Sequence, residues 1–517
     1  MQRRKFMLGA ASSAVLATTG CVREEPALSK VISAPAGRIQ GHVTRGVHRF
    51  LGIPYADPPF GERRWMPPVR RKPWSHVLQA TKYGQICPQT GGNSANPLIE
   101  GEDCLNLNIW SADPGARGLP VMVWVHGGGQ ISGSGSDKIY DGSNFAKDGV
   151  VLVTCNRRLG AEGFLYLEEL FGEGIGPGNL GMQDLICVLQ WVTDNIQSFG
   201  GDPSNITIFG ESGGAAAIQA TIATPGAGGL INQAILQSGG HSAQRPATAK
   251  KIARYVMDQL AIGHKDLDAL RLVPWQKFVD LYPKLSERLH WGQPQIYQPV
   301  LNEHMPVHPV DATFSGVGLD IAYLIGTCRD EAELFAWLIE LEGSQFERRA
   351  RQVIKAADAE FSEVLARYGS LNPSMKKEDC FTAALGDMWF RVPSLRIAEG
   401  HRRYATRDTY MYLFEWASPI LGATHALDLM VFGNGLPLSF MSGFRDFDKT
   451  ANFMRKAWVA FAQTGTPTTA EQTWPRYSEK RSTLSIKDTP AVMRSSYQDQ
   501  FPMLEPVINI HWGSAGL

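Results

Sequence analysis

Short, continuous apolar runs recur along the 517-residue chain, and most end abruptly in glycine-rich or polar segments. Four stand out: Val121-Met122-Val123-Trp124-Val125, Ile206-Thr207-Ile208-Phe209, Ile321-Ala322-Tyr323-Leu324-Ile325 and Thr409-Tyr410-Met411-Tyr412-Leu413-Phe414. Hydrophobicity that is continuous rather than alternating predicts strands covered on both faces. After the second run comes Gly210-Glu211-Ser212-Gly213-Gly214, and then an Ala- and Ile-rich stretch, Gly214 to Ala223, that predicts a helix. Parallel sheets place reactive groups in the loops at the C-terminal ends of their strands. The residues following these runs are therefore the place to look for chemistry.

Gly210-Glu211-Ser212-Gly213-Gly214 matches G-x-S-x-G. A serine on a strand-to-helix turn is forced into a sharp corner, and glycines are required where a Cβ would strike the neighbouring strand or helix. The corner lifts the hydroxyl clear of the sheet, beside a helix N-terminus that favours a developing anion. His126-Gly127-Gly128-Gly129-Gln130 follows the first run and can turn backbone N–H groups toward an oxyanion. A phosphate cradle would want Lys and Ser/Thr after the glycines, and Gln130-Ile131-Ser132 does not supply that order. A serine nucleophile needs a base and a group to orient that base. Of the 12 histidines, His425 follows the fourth run and its loop, Ser418 to Thr424, whereas His126 is placed to support the oxyanion segment. The acid is expected between Ser212 and His425, after the third run, where Asp330 and Glu331 compete.

These segments belong to a longer series. Phe50-Leu51-Gly52-Ile53-Pro54-Tyr55-Ala56, Glu102-Asp103-Cys104-Leu105, the His126 to Gln130 run, Asn156-Arg157-Arg158-Leu159-Gly160, the serine segment, Gln237-Ser238-Gly239, Gly326 to Glu331, His425-Ala426-Leu427-Asp428 and Trp474-Pro475-Arg476-Tyr477 stand in one order. In that order the chain, from about Val31 to about Met493, resembles the type-B carboxylesterases, the family that includes cholinesterases and some lipases. The resemblance implies an α/β class protein with the α/β-hydrolase fold: a mostly parallel central sheet, helices on both faces and long insertions. It implies a triad of Ser212, Glu331 and His425, oxyanion donors at the amides of Gly128, Gly129 and Gly213, and Ser238 hydrogen-bonded to the acid. It further implies a Cys87–Cys104 disulfide and a buried Glu102–Arg158 ion pair, and it calls for no cofactor and no metal. Departures from the family pattern fall at Gln130, often aromatic; at Arg157, usually Tyr; at Gly240-His241, usually Ser-Pro; and at Ala332, usually Gly. The first three point to a more polar pocket, and Ala332 to a shift of the backbone beside the acid. The loop from Cys87 to Cys104 has no Trp, Tyr or Phe, which argues against a choline ester.

Composition narrows the function further. Lys+Arg and Asp+Glu are both 50, so nothing steers the chain toward nucleic acid or an anionic membrane. Gln2-Arg3-Arg4-Lys5-Phe6-Met7-Leu8 resembles a twin-arginine export motif, and the mild stretch Leu8 to Thr19 is too short to span a bilayer. Residues 1–29 are expected to be an export signal and linker, and 30–517 a single hydrolase domain. The mature protein would be periplasmic or secreted, with Cys21 as a candidate lipid anchor. The expected activity is that of a serine carboxylic ester hydrolase on a small-molecule ester, acting through an acyl-enzyme. The alternatives are a catalytically silent adhesion or binding member of the same superfamily, and a hydrolase of carbamate, thioester or polyester bonds. With His425 as base, turnover is expected to fall in acid with one ionisation around ~6 to 7.

Overall fold

Seven parallel strands form the centre of the molecule: β1 (Leu119–Val125), β2 (Val151–Cys155), β3 (Gly201–Glu211), β4 (Gln233–Gln237), β5 (Ala322–Cys328), β6 (Thr409–Phe414) and β7 (Thr483–Ile486). They lie in the order β2-β1-β3-β4-β5-β6-β7. The chain thus steps outward from β1 to β2, returns, and steps the other way from β3. Antiparallel strands continue the sheet on both sides, Asn106–Ser111, Val47–Pro54, His42–Thr44 and Ala27–Leu28 beyond β2 and Ala491–Met493 beyond β7, to a total of 12. A separate 3-stranded sheet joins Ile32–Ala34, Gly37–Gln40 and Trp74–Gln79. This computed structural model describes residues 26–89, 98–239, 243–288, 296–341, 366, 368–370 and 373–493.

Alternate residues of the central strands enter two different cores, because successive side chains of a strand point to opposite faces. Val121, Val123, Val125, Ile206 and Ile208 pack with helices α1 (Leu180–Asn195) and α2 (Gly213–Ile222). Met122, Trp124, Phe209 and Leu324 pack with α3 (Asp448–Thr464) through Met454, Trp458 and Phe461. With helices on both faces, neither face of a central strand meets water, which is why those runs are apolar throughout. All ten residues of α2 are buried. Its run of Gly and Ala lets the helix lie that deep without needing a polar side.

Three expectations change here. The strands extend further than their most apolar stretches: β3 begins at Gly201 and β5 ends at Cys328, while β6 matches the expected run. Arg158 is buried, as expected, but its partner is Asp184 of α1: Nη2 lies 2.6 Å from Oδ1, and Nε and the Arg158 backbone N–H each donate 2.9 Å to Oδ2. Glu102 is exposed and does not form the pair. The buried carboxylate of a helix residue takes one edge of the guanidinium fork, Nε and Nη2, while Nη1 donates to the Met66 carbonyl at 2.7 Å. Cys87 and Cys104, expected to be joined, stand side by side as buried free thiols, and Cys87 Sγ donates to the Arg157 carbonyl at 2.7 Å. The export motif, Cys21 and the Gly240-His241 departure lie outside the described residues. No helix among the described residues is long and apolar enough to cross a membrane.

Candidate active site

Register brings the chemical segments together. Val125 of β1 pairs with Gly210 of β3, Glu211 with Gln237 of β4, Gln237 with Gly326 of β5, and Cys328 with Phe414 of β6. The strands therefore end in a row, and the residues that follow each end face one crevice where the strand order reverses. Ser212 is the hinge between β3 and α2, with φ 54° and ψ −126°. A non-glycine residue holds that conformation only when its surroundings enforce it. Here the Ser212 N–H donates to the Gln237 carbonyl at 2.8 Å. A Cβ on Gly210 would come within 2.6 Å of the Val125 carbonyl oxygen, and one on Gly214 within 2.1 Å. Both glycines are required by this close packing of strand and helix.

The glycine run after β1 wraps against the serine. A Cβ on Gly127 would meet Ser212 Cβ at 3.3 Å, and one on Gly213 would meet the Gly129 nitrogen at 2.7 Å. The carbonyl of Gly128 is turned back to accept from the Ile131 and Ser132 amides at 3.1 and 3.0 Å. Among the described residues, the N–H groups of Gly128 and Gly129 donate to no protein acceptor. The Gly213 amide opens α2, where a helix has no internal partner for it. Gln130, expected to make the pocket more polar, instead ties the two segments together: its Nε2 donates 2.7 Å to the Gly213 carbonyl. Buried His126 supports the loop, with Nδ1 at 2.9 Å from the Gly127 carbonyl. Burial, reinforced by the charge of Arg157, pushes its pKa down to about 3. It is therefore neutral at ordinary pH, and an Nδ1 facing a carbonyl must carry the proton.

Of the two competing acids, Glu331 points inward and Asp330 outward. Glu331 Oε2 is 2.6 Å from His425 Nδ1, while its Oε1 accepts from Ser238 Oγ at 2.6 Å and the Cys328 amide at 2.7 Å. Asp330 instead clamps the histidine loop, accepting from the Ala423 amide at 2.8 Å while its own amide donates to the Ala423 carbonyl at 2.9 Å. His425 lies under Phe390 and Phe335, at ring-centroid distances of 4.4 and 5.2 Å.

Ser212 Oγ makes no hydrogen bond to His425 in this structure. The other ring nitrogen, Nε2, lies 3.1 Å from Oε1 of Glu211, the residue before the serine. Sequence reasoning missed this carboxylate; its only trace was its place as the variable residue of G-x-S-x-G. Asp428 was missed too. It is fully buried and accepts from the Tyr412 hydroxyl at 2.8 Å. Burial alone would lower the pKa of His425, but Glu211, Glu331 and Asp428 outweigh it and push it up to about 9. The expected value around ~6 to 7 allowed for one carboxylate rather than three. Burial in turn raises Glu211 to about 8, opposed by His425 and reinforced by Asp428 and Glu331. The one cluster among the described residues with metal-ligand spacing, Glu168, Glu303 and His304, contains none of these groups.

A sequence model described as the carboxylesterase family matches residues 28–503. The para-nitrobenzyl esterase of Bacillus subtilis is 34% identical over 483 residues, covering 89% of this chain and 95% of its own. The phenmedipham hydrolase of Pseudarthrobacter oxydans is 33% identical, covering 86% and 92%. Among solved structures, a thermophilic PNB esterase superposes with a TM-score of 0.82 at 32% identity, covering 92% of this chain and 99% of its own. A carboxylesterase from Geobacillus stearothermophilus does so with a TM-score of 0.81 at 34% identity, covering 93% and 100%.

Proposed function

We propose, from the premise that this chain belongs to the carboxylesterase family and is a carboxylic ester hydrolase with the α/β-hydrolase fold, that it works by a Ser-His-Glu triad through an acyl-enzyme. The carrying observation is His425 held by Glu331 at 2.6 Å, in the same crevice as a serine locked at positive φ. Ser212 Oγ attacks the ester carbonyl while His425 Nε2 takes its proton. Glu331 keeps the imidazole in the tautomer with hydrogen on Nδ1. The amides of Gly128, Gly129 and Gly213 receive the oxyanion, and their freedom from other protein acceptors supports that role. His425 then passes the proton to the leaving alcohol. Water, activated the same way, releases the acid. For the proton to move, Nε2 must turn from Glu211 to the adjacent serine; catalytic hydrogen bonds of free enzymes commonly close only when substrate binds.

The test is labelling with an organophosphonate. It should modify Ser212 alone and abolish ester turnover, and Ser212→Ala should be inactive while remaining folded. Label on another residue, or activity surviving in Ser212→Ala, refutes the mechanism.

The same reading makes the enzyme an exported one, on the strength of Arg3-Arg4 and the short apolar stretch after them. Replacing both arginines with Lys should keep active enzyme in the cytoplasm of the producing cell, and undiminished export would overturn this. Labelling with a fatty-acid probe, lost in Cys21→Ser, decides whether the exported chain is lipid-anchored. In an oxidising compartment the adjacent thiols of Cys87 and Cys104 are the pair expected to close to a disulfide.

A further inference from the structure

Arg157 is fully buried, and none of its three side-chain nitrogens has a hydrogen-bond partner. A guanidinium carries five N–H donors and is almost never left so. The neighbouring carboxylate is not available to it: Asp184 is engaged by Nε, Nη2 and the backbone N–H of Arg158. The other groups that face Arg157 are the thiols of Cys87 and Cys155 and the Tyr55 hydroxyl, which donates 2.8 Å to the Asn156 carbonyl. Burial lowers its pKa only to about 10, so the charge persists at neutral pH.

Its place in the sheet gives the charge a direction. Arg157 follows β2, which pairs through Cys155↔Val125 with β1, the strand that leads into the oxyanion loop. Its field is felt at His126, the first residue of that loop. His425 comes from the far side of the crevice, after β6, and the charges that dominate there are Glu211, Glu331 and Asp428. A positive charge on the oxyanion-loop side of the crevice, across the sheet from the strand that carries the imidazole, favours the negative charge that develops in the transition state.

We propose that Arg157, where related chains usually carry a neutral Tyr, is a positioning residue whose uncompensated charge lies behind the oxyanion loop and favours the tetrahedral oxyanion without touching it. This rests on the serine mechanism above. It deepens that mechanism by giving this chain an electrostatic element added to the three amides.

The test compares Arg157→Met, Arg157→Tyr and Arg157→Lys with the wild type on n-butyl acetate. The two neutral variants should lose about tenfold in kcat/KM, the factor that 1.4 kcal/mol produces. The lysine variant should recover most of that loss. A trifluoromethyl ketone, whose adduct carries an oxyanion, should bind the neutral variants more weakly by the same factor. Inhibition by N-butylacetamide, which forms no oxyanion, should stay within about twofold. A purely structural role would weaken both ligands together or neither, and either result overturns the proposal. If Arg157→Met does not fold, Arg157→Tyr carries the comparison. Arg157 variants that match the wild type while Ser212→Ala is inactive overturn this proposal and leave the serine mechanism standing. Activity that survives Ser212→Ala overturns the mechanism itself.

Discussion

Glu211→Gln removes one of the two carboxylates that grip His425 while nearly preserving the shape of the side chain. Glu211 Oε1 is 3.1 Å from His425 Nε2, and both groups are buried. Two full charges at that separation attract by on the order of 5 kcal/mol at an effective dielectric of about 20. Less than this is realised, because burial holds Glu211 partly protonated, up to about 8. An opposite charge this close ordinarily moves a pKa by about 1 to 3 units. The sign follows from the base's task. His425 must be neutral to accept the serine proton, and the neutral form is lost as pH falls through its pKa. With that pKa raised to about 9, the free enzyme should need alkaline pH to free the base, and activity should climb toward alkaline pH. Without Glu211 the acid limb of kcat/KM should move down by about 1 to 3 units. The variant then keeps a larger share of its own plateau at neutral pH than the wild type does. The assay is a pH-stat profile of kcat/KM for n-butyl acetate, from about pH 5 to about pH 10, fitted as a property of the coupled pair. An acid limb that stays in place or moves upward in Glu211→Gln refutes the reasoning. So does a wild-type limb that already lies at the ordinary imidazole value.

Other outcomes follow from contacts described above. Asp184→Ala strands the buried guanidinium of Arg158 and should cost about 3–5 kcal/mol in urea unfolding; a loss no larger than that of an exposed carboxylate would show the pair is not structural. Gly214→Ala puts a Cβ 2.1 Å from the Val125 carbonyl and should abolish activity and lower the melting temperature. Gly228→Ala, which meets nothing within 4 Å, should leave both unchanged; equal behaviour of the two would contradict the strand–helix packing. With the Gly128 carbonyl turned back toward Ile131 and Ser132, the alcohol side of the site has room for branching. Hydrolysis of tert-butyl acetate should then be slow but above the Ser212→Ala blank, and tert-butyl turnover equal to the blank beside brisk n-butyl turnover would refute this.

What could be read from the chain beforehand depended on how local the physics was. The runs that became β1, β3, β5 and β6 are legible because strands covered on both faces have no polar side. The serine corner is legible because Gly210, Ser212 and Gly214 stand within five residues of one another, between an apolar run and a helical stretch, although the contacts that force the two glycines come from Val125 on the neighbouring strand. Glu331 was separable from Asp330 only by family likeness, since nothing in two adjacent acids tells which faces inward. The partner of Arg158 was misassigned because Asp184 reaches it by tertiary packing of α1 against the segment that follows β2, 26 positions along the chain. Glu211 escaped notice because its importance lies in a distance to His425, and no local pattern encodes a distance across a sheet. The same holds for the solitary charge of Arg157, which is visible in sequence only as a substitution and becomes meaningful once its lack of a counter-ion is seen.

The clamp by Asp330 on Ala423 has a consequence for how such an enzyme can change over time. Glu331 and His425 are 94 positions apart, yet the two hydrogen bonds of the clamp, one from the Asp330 amide and one to its carboxylate, and the β5–β6 pairing close the chain between them into a loop with fixed ends. Residues of that closed length that touch neither β5, β6 nor His425 can be exchanged with little effect on the alignment of acid and base, because the alignment is set at the two ends and by Phe335 and Phe390 over the imidazole. That makes the stretch between β5 and β6 a place where new substrate preferences can be tried by mutation while the machinery that breaks the bond is inherited intact.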